Sequence, residues 1–548
     1  MLRKTVSGVM LTLLLIGMLA LSFNIQTVKA SGTIYIRADG SIDPSTAPIS
    51  TVDNVTYILT GDITSDANGI VVERNNTILD GAGYKILGTD NGFGIVAGDN
   101  VTIRNMEIAS FGVGIALVGS SNNIVGNNFT NNGLMTFGYQ NKVENNFVNS
   151  KPLVYLQSTS DHIINDAGQV ILVNCSGIRV ENLDLSNVIP GVELIETVNS
   201  NILNNRFAYS QYSIELYKSS NNTISGNDIS NITRKIYFWE GSGIDLSGSN
   251  GNRIFGNNIT GYEYSCISLW GSSGNSIYAN NLEKCDISLH DSQLNSMVGN
   301  NLSNEAGFFF WNSSANSIIG NTITSTSPSQ YAVMLNFHSS GNRIYHNNFV
   351  NDTYPVQTDE EQNFWDDGYP SGGNYWSDYN GSDVNRDGVG DEPYLAQRPY
   401  DPPCVMNYPL MGMFYSFNTS LGCEVSVVSN STIKDFEYFQ SNSTIKMHVC
   451  NMTTNQEFGF VRICIPHTLM NETYHVTVDG AEPHYINYTL YDNGTNRWIY
   501  FSYQHSTLEI VIIPEFPSFL ILPLFILTTL IATILLKKNR KLKFQQLS

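Results

Sequence analysis

One short phrase recurs through the chain and leaves few folds open to it. Copies read NNTISGNDI, NRIFGNNI, NSIYANNL, NSMVGNNL, NSIIGNTI and NRIYHNNF. Their central apolar residues are Ile202, Ile224, Ile254, Ile277, Met297, Ile318 and Ile344, at intervals of 22, 30, 23, 20, 21 and 26. Earlier copies centre on Ile103, Ile124 and Val143, at intervals of 21 and 19. A drifting period of this length is too short for paired-helix repeats and too irregular for a propeller blade. Within each copy apolar and polar residues alternate, which is strand periodicity. A second apolar pair follows about ten residues later, as in Ile214 and Leu216, Ile244 and Leu246, and Ile267 and Leu269.

A coil this small cannot bury its own apolar face. Stacked coils can, because each strand then pairs with its counterpart about 4.8 Å above and below. The inward Ile, Val, Leu and Phe form columns along the axis. The repeated Asn tolerates left-handed backbone at sharp corners, and its amide can bond the Asn one coil away. The expectation is an all-β chain: a parallel β-helix solenoid, right-handed by analogy with other Asn-rich coils, followed by a small β-sandwich and a C-terminal transmembrane helix.

Charged residues make up only 14% of the 548, and the formal net charge of -20 speaks against nucleic acid as a partner. About twenty Asn-x-Ser/Thr sequons occur, densely at Asn418, Asn430, Asn442, Asn451, Asn471, Asn487 and Asn493. They suggest an exported, N-glycosylated ectodomain. Arg3 and Lys4 precede an apolar run that closes on Val28-Lys29-Ala30, so residues 1–30 read as a secretory signal. At the other end, Phe519 to Leu536 is an 18-residue apolar stretch without a charge, followed by Lys537, Lys538, Arg540, Lys541 and Lys543. Residues 519–536 read as a single membrane anchor and 537–548 as a cytoplasmic basic tail, which places the bulk of the chain at the cell surface. The tail PEFPSFLILPL is similar to the C-terminal anchors of archaeal surface proteins, including sorting tails whose helix is removed.

Between the ends, residues 31–60 read as a cap over the first open coil and 57–362 as the solenoid. The longest interval holds NITRKIYFWEG, which reads as a loop on one face. From 363 to 412 the repeat gives way to an aromatic, acidic, Gly-rich closing segment. Within it Asp383, Asn385, Asp387, Val389 and Asp391 follow the alternate-oxygen spacing of a calcium loop, Val389 through its carbonyl, with Gly388 at the sharp turn. Glu392 or Asp378 would have to complete it, and such a Ca²⁺ would be structural. Residues 415–513 alternate in short runs that suggest a sandwich of about seven strands. A Cys450–Cys464 bridge fits an exported domain; Cys266 and Cys285, one coil apart, are either bridged or core filling.

The coils, the block Asn374-Tyr375-Trp376-Ser377-Asp378-Tyr379, the DVNRDGVGDEPY stretch and Asn407-Tyr408-Pro409-Leu410 together resemble the NosD-like β-helix repeat family, within the wider group of carbohydrate-binding proteins and sugar hydrolases. The resemblance spans about residues 35 to 412. It implies the fold strongly and the function weakly, because a fold does not fix chemistry. The family's namesake is linked to copper-site assembly.

Two outward rows carry the candidate chemistry. Glu215 and Asp245 hold equivalent places on neighbouring coils, where stacked carboxylates could serve glycoside cleavage, with Glu240 or Glu263 assisting, or could be a solvated acidic face. Tyr217, Trp270, His290 and Trp311, with Phe337 a looser match and Trp239 from the long loop, could stack on sugar rings. A Cys404, Met406, Met411, Met413 cluster offers soft ligands for copper. The expected function is that of a surface-anchored β-helix binding carbohydrate or neighbouring envelope polymers without catalysis. The alternatives are a polysaccharide lyase or glycoside hydrolase, and a copper-binding or copper-delivery protein.

Overall fold

The computed structural model describes residues 32–232, 241–261, 265–324, 331–351, 354–359, 362–396, 404–470, 473–514 and 526–537. Trp239, Glu240, Glu263, the signal at 1–30, the first part of the apolar stretch at 519–525 and the tail beyond Lys537 lie outside them. The chain divides into two compact units: Met1–Arg253 with Asn257–Ser268, and Ile254–Gly256 with Leu269–Ser548.

In the first unit the opening edge is closed by hairpins. Ile34–Ile36 pairs antiparallel with Ile42–Asp43 and parallel with Ile70–Val72, and Ile49–Thr51 pairs antiparallel with Thr56–Leu59. A bare first rung would expose unpaired N–H and C=O groups, and these hairpins shield them. Each later coil contributes short strands to separate parallel ladders, with inward residues in register: Ile103 on Ile124, Ile108 on Phe129 and Ile115 on Leu134. All six are buried.

The stack is not as uninterrupted as the repeat suggests. Asn149 and Ser150 take left-handed backbone, and Lys151–Gln157 folds back antiparallel on Phe147–Val148. Parallel stacking then resumes through Gln169–Val173, Val192–Ile195, Tyr212–Tyr217 and Ser242–Ser247. The gap between the repeats at Val143 and Ile202 holds this reversal and two further rungs, at Ile164 and Val180.

Asparagine ladders hold the corners. The Asn205 N–H and Nδ2 both donate to Asn227 Oδ1, at 2.9 and 3.1 Å, and Asn227 does the same to Asn257 at 3.0 Å each. The free amide hydrogens go to inner carbonyls, Val180 and Ile202. These side chains are buried, so every polar atom needs such a partner.

The second unit continues in the same manner. Ile287–His290, Phe308–Trp311, Tyr331–Asn336 and Tyr354–Thr358 form one parallel ladder. One asparagine file runs Asn280, Asn300, Asn321, Asn347, Asn374. The last coil ends on Trp376, stacked between Phe349 at 4.1 Å and Tyr394 at 4.5 Å. Asn348 then exchanges two bonds with the backbone of Phe414, at 2.7 and 2.9 Å, on the first strand of the sandwich. The sandwich has five strands in one antiparallel sheet and four in the other, two more than the sequence suggested. Its core is Val427, Ile445, Met447, Val461, Ile463, Phe501, Ile510 and their neighbours.

The cysteines sort differently from expectation in one place. Cys266 and Cys285 are disulfide-bonded. Cys450 and Cys464 are free thiols, because Cys450 lies opposite Thr432 in one sheet and Cys464 between Ser426 and Trp498 in the other. Residues 526–537 are helical, and no described helix is long and apolar enough to cross a membrane.

Candidate functional site

The strands Val192–Ile195, Tyr212–Tyr217 and Ser242–Ser247 stack in parallel, so alternate residues point inward and outward in file. Val192, Ile214 and Ile244, with Leu194, Leu216 and Leu246, face the core. Between them Glu193 lies on Glu215, and Glu215 on Asp245. The row is turned away from the core, yet it is not a solvated face. Glu193 is 3% exposed, and Glu215 and Asp245 are half-buried. The nearest donor to Glu193 is the Thr136 N–H, 3.4 Å from both carboxyl oxygens. Glu215 Oε2 is enclosed with no hydrogen-bond partner. Asp245 is better served: Ser242 Oγ donates to its Oδ2 at 3.2 Å, and the Ser268 hydroxyl bonds it too.

These surroundings set the protons. Burial, then the neighbouring Asp245 charge, pushes Glu215 up to about 8. Burial raises Asp245 to about 6, against the two serine hydroxyls that favour its ionised form. Glu193 is raised well above the carboxylate range by burial and by Glu215. Near neutrality, then, Glu215 keeps its proton while Asp245 is mostly ionised. Glu193 was missed in the sequence. Its signal is there, since Val192-Glu193-Leu194 repeats the pattern of Ile214-Glu215-Leu216 and Ile244-Asp245-Leu246.

The second unit carries the ring row. Trp270 and His290 stack at 3.9 Å and 4°. His290 lies opposite Trp311 on the next strand, and Trp311 stacks on Phe337 at 3.5 Å and 21°. Trp311 is in register with Asn336; Phe337 reaches it from the following position, where the backbone is left-handed, which is why its spacing looked irregular. Trp270, Trp311 and Phe337 are 43%, 45% and 50% exposed. Such open apolar area is unusual on a soluble surface and suits a flat ligand. In the first unit Tyr217, also exposed, lies opposite Ser247, and Lys218 Nζ sits 4.9 Å above its ring.

In the acidic loop, the Asp387 and Gly388 N–H groups donate to the two oxygens of Asp383, and the Val389 N–H to Asp387 Oδ1. Asp391 Oδ2 accepts from the Val384 N–H at 2.7 Å. Val389 is buried. Among the described residues no three His, Cys, Asp or Glu side chains are gathered as a metal site.

Residues 148–306 and 286–381 match a family model described as periplasmic copper-binding protein (NosD). No curated protein matches the chain. Among solved structures it is similar to the periplasmic alginate epimerase AlgG, with 12% identity over 61% of this chain and 82% of that one, TM-score 0.25. The Azotobacter vinelandii mannuronan C-5 epimerase AlgE6 A-module follows at 10%, 56%, 87% and 0.26, and the Dettilon tailspike protein gp208 at 14%, 84%, 85% and 0.24. At these scores the likenesses bear on no function. The family description names copper, and the soft donors here do not fit it. Met406 is buried opposite Tyr394, Met411 packs on the Val389, Leu410 and Phe414 cluster, and Met413 Sδ faces the Tyr415 hydroxyl at 3.9 Å. Cys404 sits opposite Ala396 in the same hairpin as Met406.

Proposed function

We propose, for a chain whose repeat region belongs to the NosD-like family of right-handed parallel β-helices, that it binds carbohydrate polymers of the cell envelope along its outward ring row. The observation that carries this reading is the row of half-exposed rings at Trp270, His290, Trp311 and Phe337. The C–H faces of a pyranose pack on exposed ring area, and a repeat of one rung every 4.8 Å offers contacts along an extended chain, not at one point. The apolar stretch at 519–536 and its basic flank supply the anchor, and the signal at 1–30 the export, so the ectodomain meets its ligand outside the cell.

A glycan array probed with the purified full-length chain tests the reading. Retention on at least one polysaccharide is expected, with Trp311→Ala weakening it about tenfold, the order of one lost ring contact. A chain that binds no carbohydrate, or a variant that binds as well as the parent, would refute it.

A further inference from the structure

We propose that the row Glu193, Glu215 and Asp245 is a catalytic centre that hydrolyses neutral glycosides with retention of configuration, Glu215 acting as general acid and base and Asp245 as nucleophile. It rests on the carbohydrate reading for its class of substrate.

A solenoid has no structural use for this row. Like carboxyls on consecutive rungs repel, and burial adds to the cost. The rung before Glu193 carries Ile171 at the same place, so an apolar residue fits there. Among the described residues no Lys or Arg pairs with any of the three carboxyls, and they do not form a metal site. Two polar atoms of one strand face are also left unmet: Glu215 Oε2, and the hydroxyl of Ser213, 1% exposed and two residues away on the same face. A ligand with hydroxyls and a glycosidic oxygen supplies partners for both.

The spacing selects the mechanism. Side chains on adjacent rungs start about 4.8 Å apart, close to the roughly 5–5.5 Å of a retaining pair and short of the roughly 6.5–9.5 Å that an inverting pair needs to admit water. In the first step Glu215 gives its proton to the glycosidic oxygen, the bond from that oxygen to the anomeric carbon breaks, and Asp245 forms an ester to that carbon. The leaving group departs as an alcohol. In the second, water gives a proton to the Glu215 carboxylate, its oxygen bonds the anomeric carbon, and the ester to Asp245 breaks. Glycoside and water become hemiacetal and alcohol, with no other reactant. Two hydroxyls on Asp245 favour its ionised form for attack, and burial, then the Asp245 charge, keeps the proton on Glu215. Glu193 is a positioning residue. An acidic row repels uronates, and Lys218, the described cation beside it, sits over the Tyr217 ring, so the substrate is a neutral glycan.

The test offers the full-length chain a panel of end-labelled neutral gluco-, manno-, galacto- and N-acetylhexosamine oligosaccharides, following binding and, by NMR, the anomer released. Cleavage with retention is expected, with a bell-shaped pH profile set by Asp245 near 6 and Glu215 near 8. The other titratable groups around the row are Tyr155 two rungs before Glu193, and Glu196, Tyr139 and Lys218 beside it. Glu215→Gln and Asp245→Asn should each lose about 10²–10⁴-fold in rate while still binding. Glu193→Gln, which replaces a protonated carboxyl by a neutral amide, should leave both limbs and the maximum largely unchanged. Binding without cleavage, inversion, or cleavage that survives both substitutions overturns the proposal alone; no binding anywhere on the panel overturns the carbohydrate reading with it.

Discussion

The carboxyl row of the first unit and the ring row of the second are built on the same kind of ladder, with buried apolar columns behind them. They differ in what repetition does to them. Parallel, in-register strands set each outward side chain beside the one a rung away. Rings in file attract, as Trp270 on His290 and Trp311 on Phe337 do. Carboxyls in file repel, and burial first, joined for Glu193 and Glu215 by the charge of the next carboxylate, makes Glu193, Glu215 and Asp245 hold protons above the ordinary carboxylate range. A solenoid thus multiplies the preference of whatever occupies a row. A self-attracting row needs no ligand to persist, whereas a self-repelling one marks a place where the molecule gives up stability.

The self-attracting extreme is the asparagine corner, and breaking it should give the largest effect. Asn300 accepts from the N–H and Nδ2 of Asn280, at 3.0 Å each, and donates to Asn321 at 2.8 and 3.0 Å and to the Ile277 carbonyl at 2.9 Å. Asn300→Leu leaves Asn280 donors, Asn321 Oδ1 and a carbonyl short of partners in a dry corner. At about 1–3 kcal/mol for each strongly affected group, the loss should reach about 3–6 kcal/mol in denaturant unfolding. A loss below about 1 kcal/mol would mean that the ladder is a consequence of the coil and does not hold it.

Those corners were the most legible part of the sequence, because the inward Ile and the corner Asn recur at most rungs. The register of Glu215 on Asp245 and of His290 on Trp311 followed from the same phase. What could not be read was tertiary. The reversal at Lys151 uses Asn149 and Ser150, indistinguishable in type from ordinary corner residues. The cover over Glu193 comes partly from Thr136, 57 positions earlier and outside any local pattern, so its burial was invisible. The free Cys450 and Cys464 follow from the sheet to which each strand belongs, which spacing does not encode.

The self-repelling row predicts a smaller effect with a definite sign. The folded chain holds protons on Glu215 up to about 8, whereas unfolded glutamate releases its proton near 4.5. Between those values unfolding releases a proton, so the stabilising share is complete below about 4.5, shrinks as the pH rises, and is gone above about 8. The slope is at most about 1.4 kcal/mol per pH unit for each such group. Glu215→Gln should therefore raise the melting temperature at pH 8 and leave it nearly unchanged at pH 4, and Glu193→Gln should act in the same direction. Melting curves for parent and variant that run parallel from pH 4 to 8 would show that the row is open to water.

The smallest effect belongs to the acidic loop at Asp383–Asp391, where repulsion is relieved locally. Its carboxylates already accept backbone N–H bonds, and Arg462, buried in the adjoining sandwich strand, places a positive charge close enough to Asp387 and Asp383 to be felt. We propose that the loop also takes a structural Ca²⁺, which then adds to an arrangement already half-neutralised. At ten times its dissociation constant the ion contributes only about 1.4 kcal/mol. Chelation should lower the melting temperature by a few degrees, Ca²⁺ but not Na⁺ should restore it, and Asp391→Asn, which keeps the acceptor for Val384 and removes the charge, should abolish the response. A chelator-insensitive parent would leave Arg462 as the loop's principal counter-charge, and Arg462→Met should then cost more stability than any substitution of a single loop carboxylate.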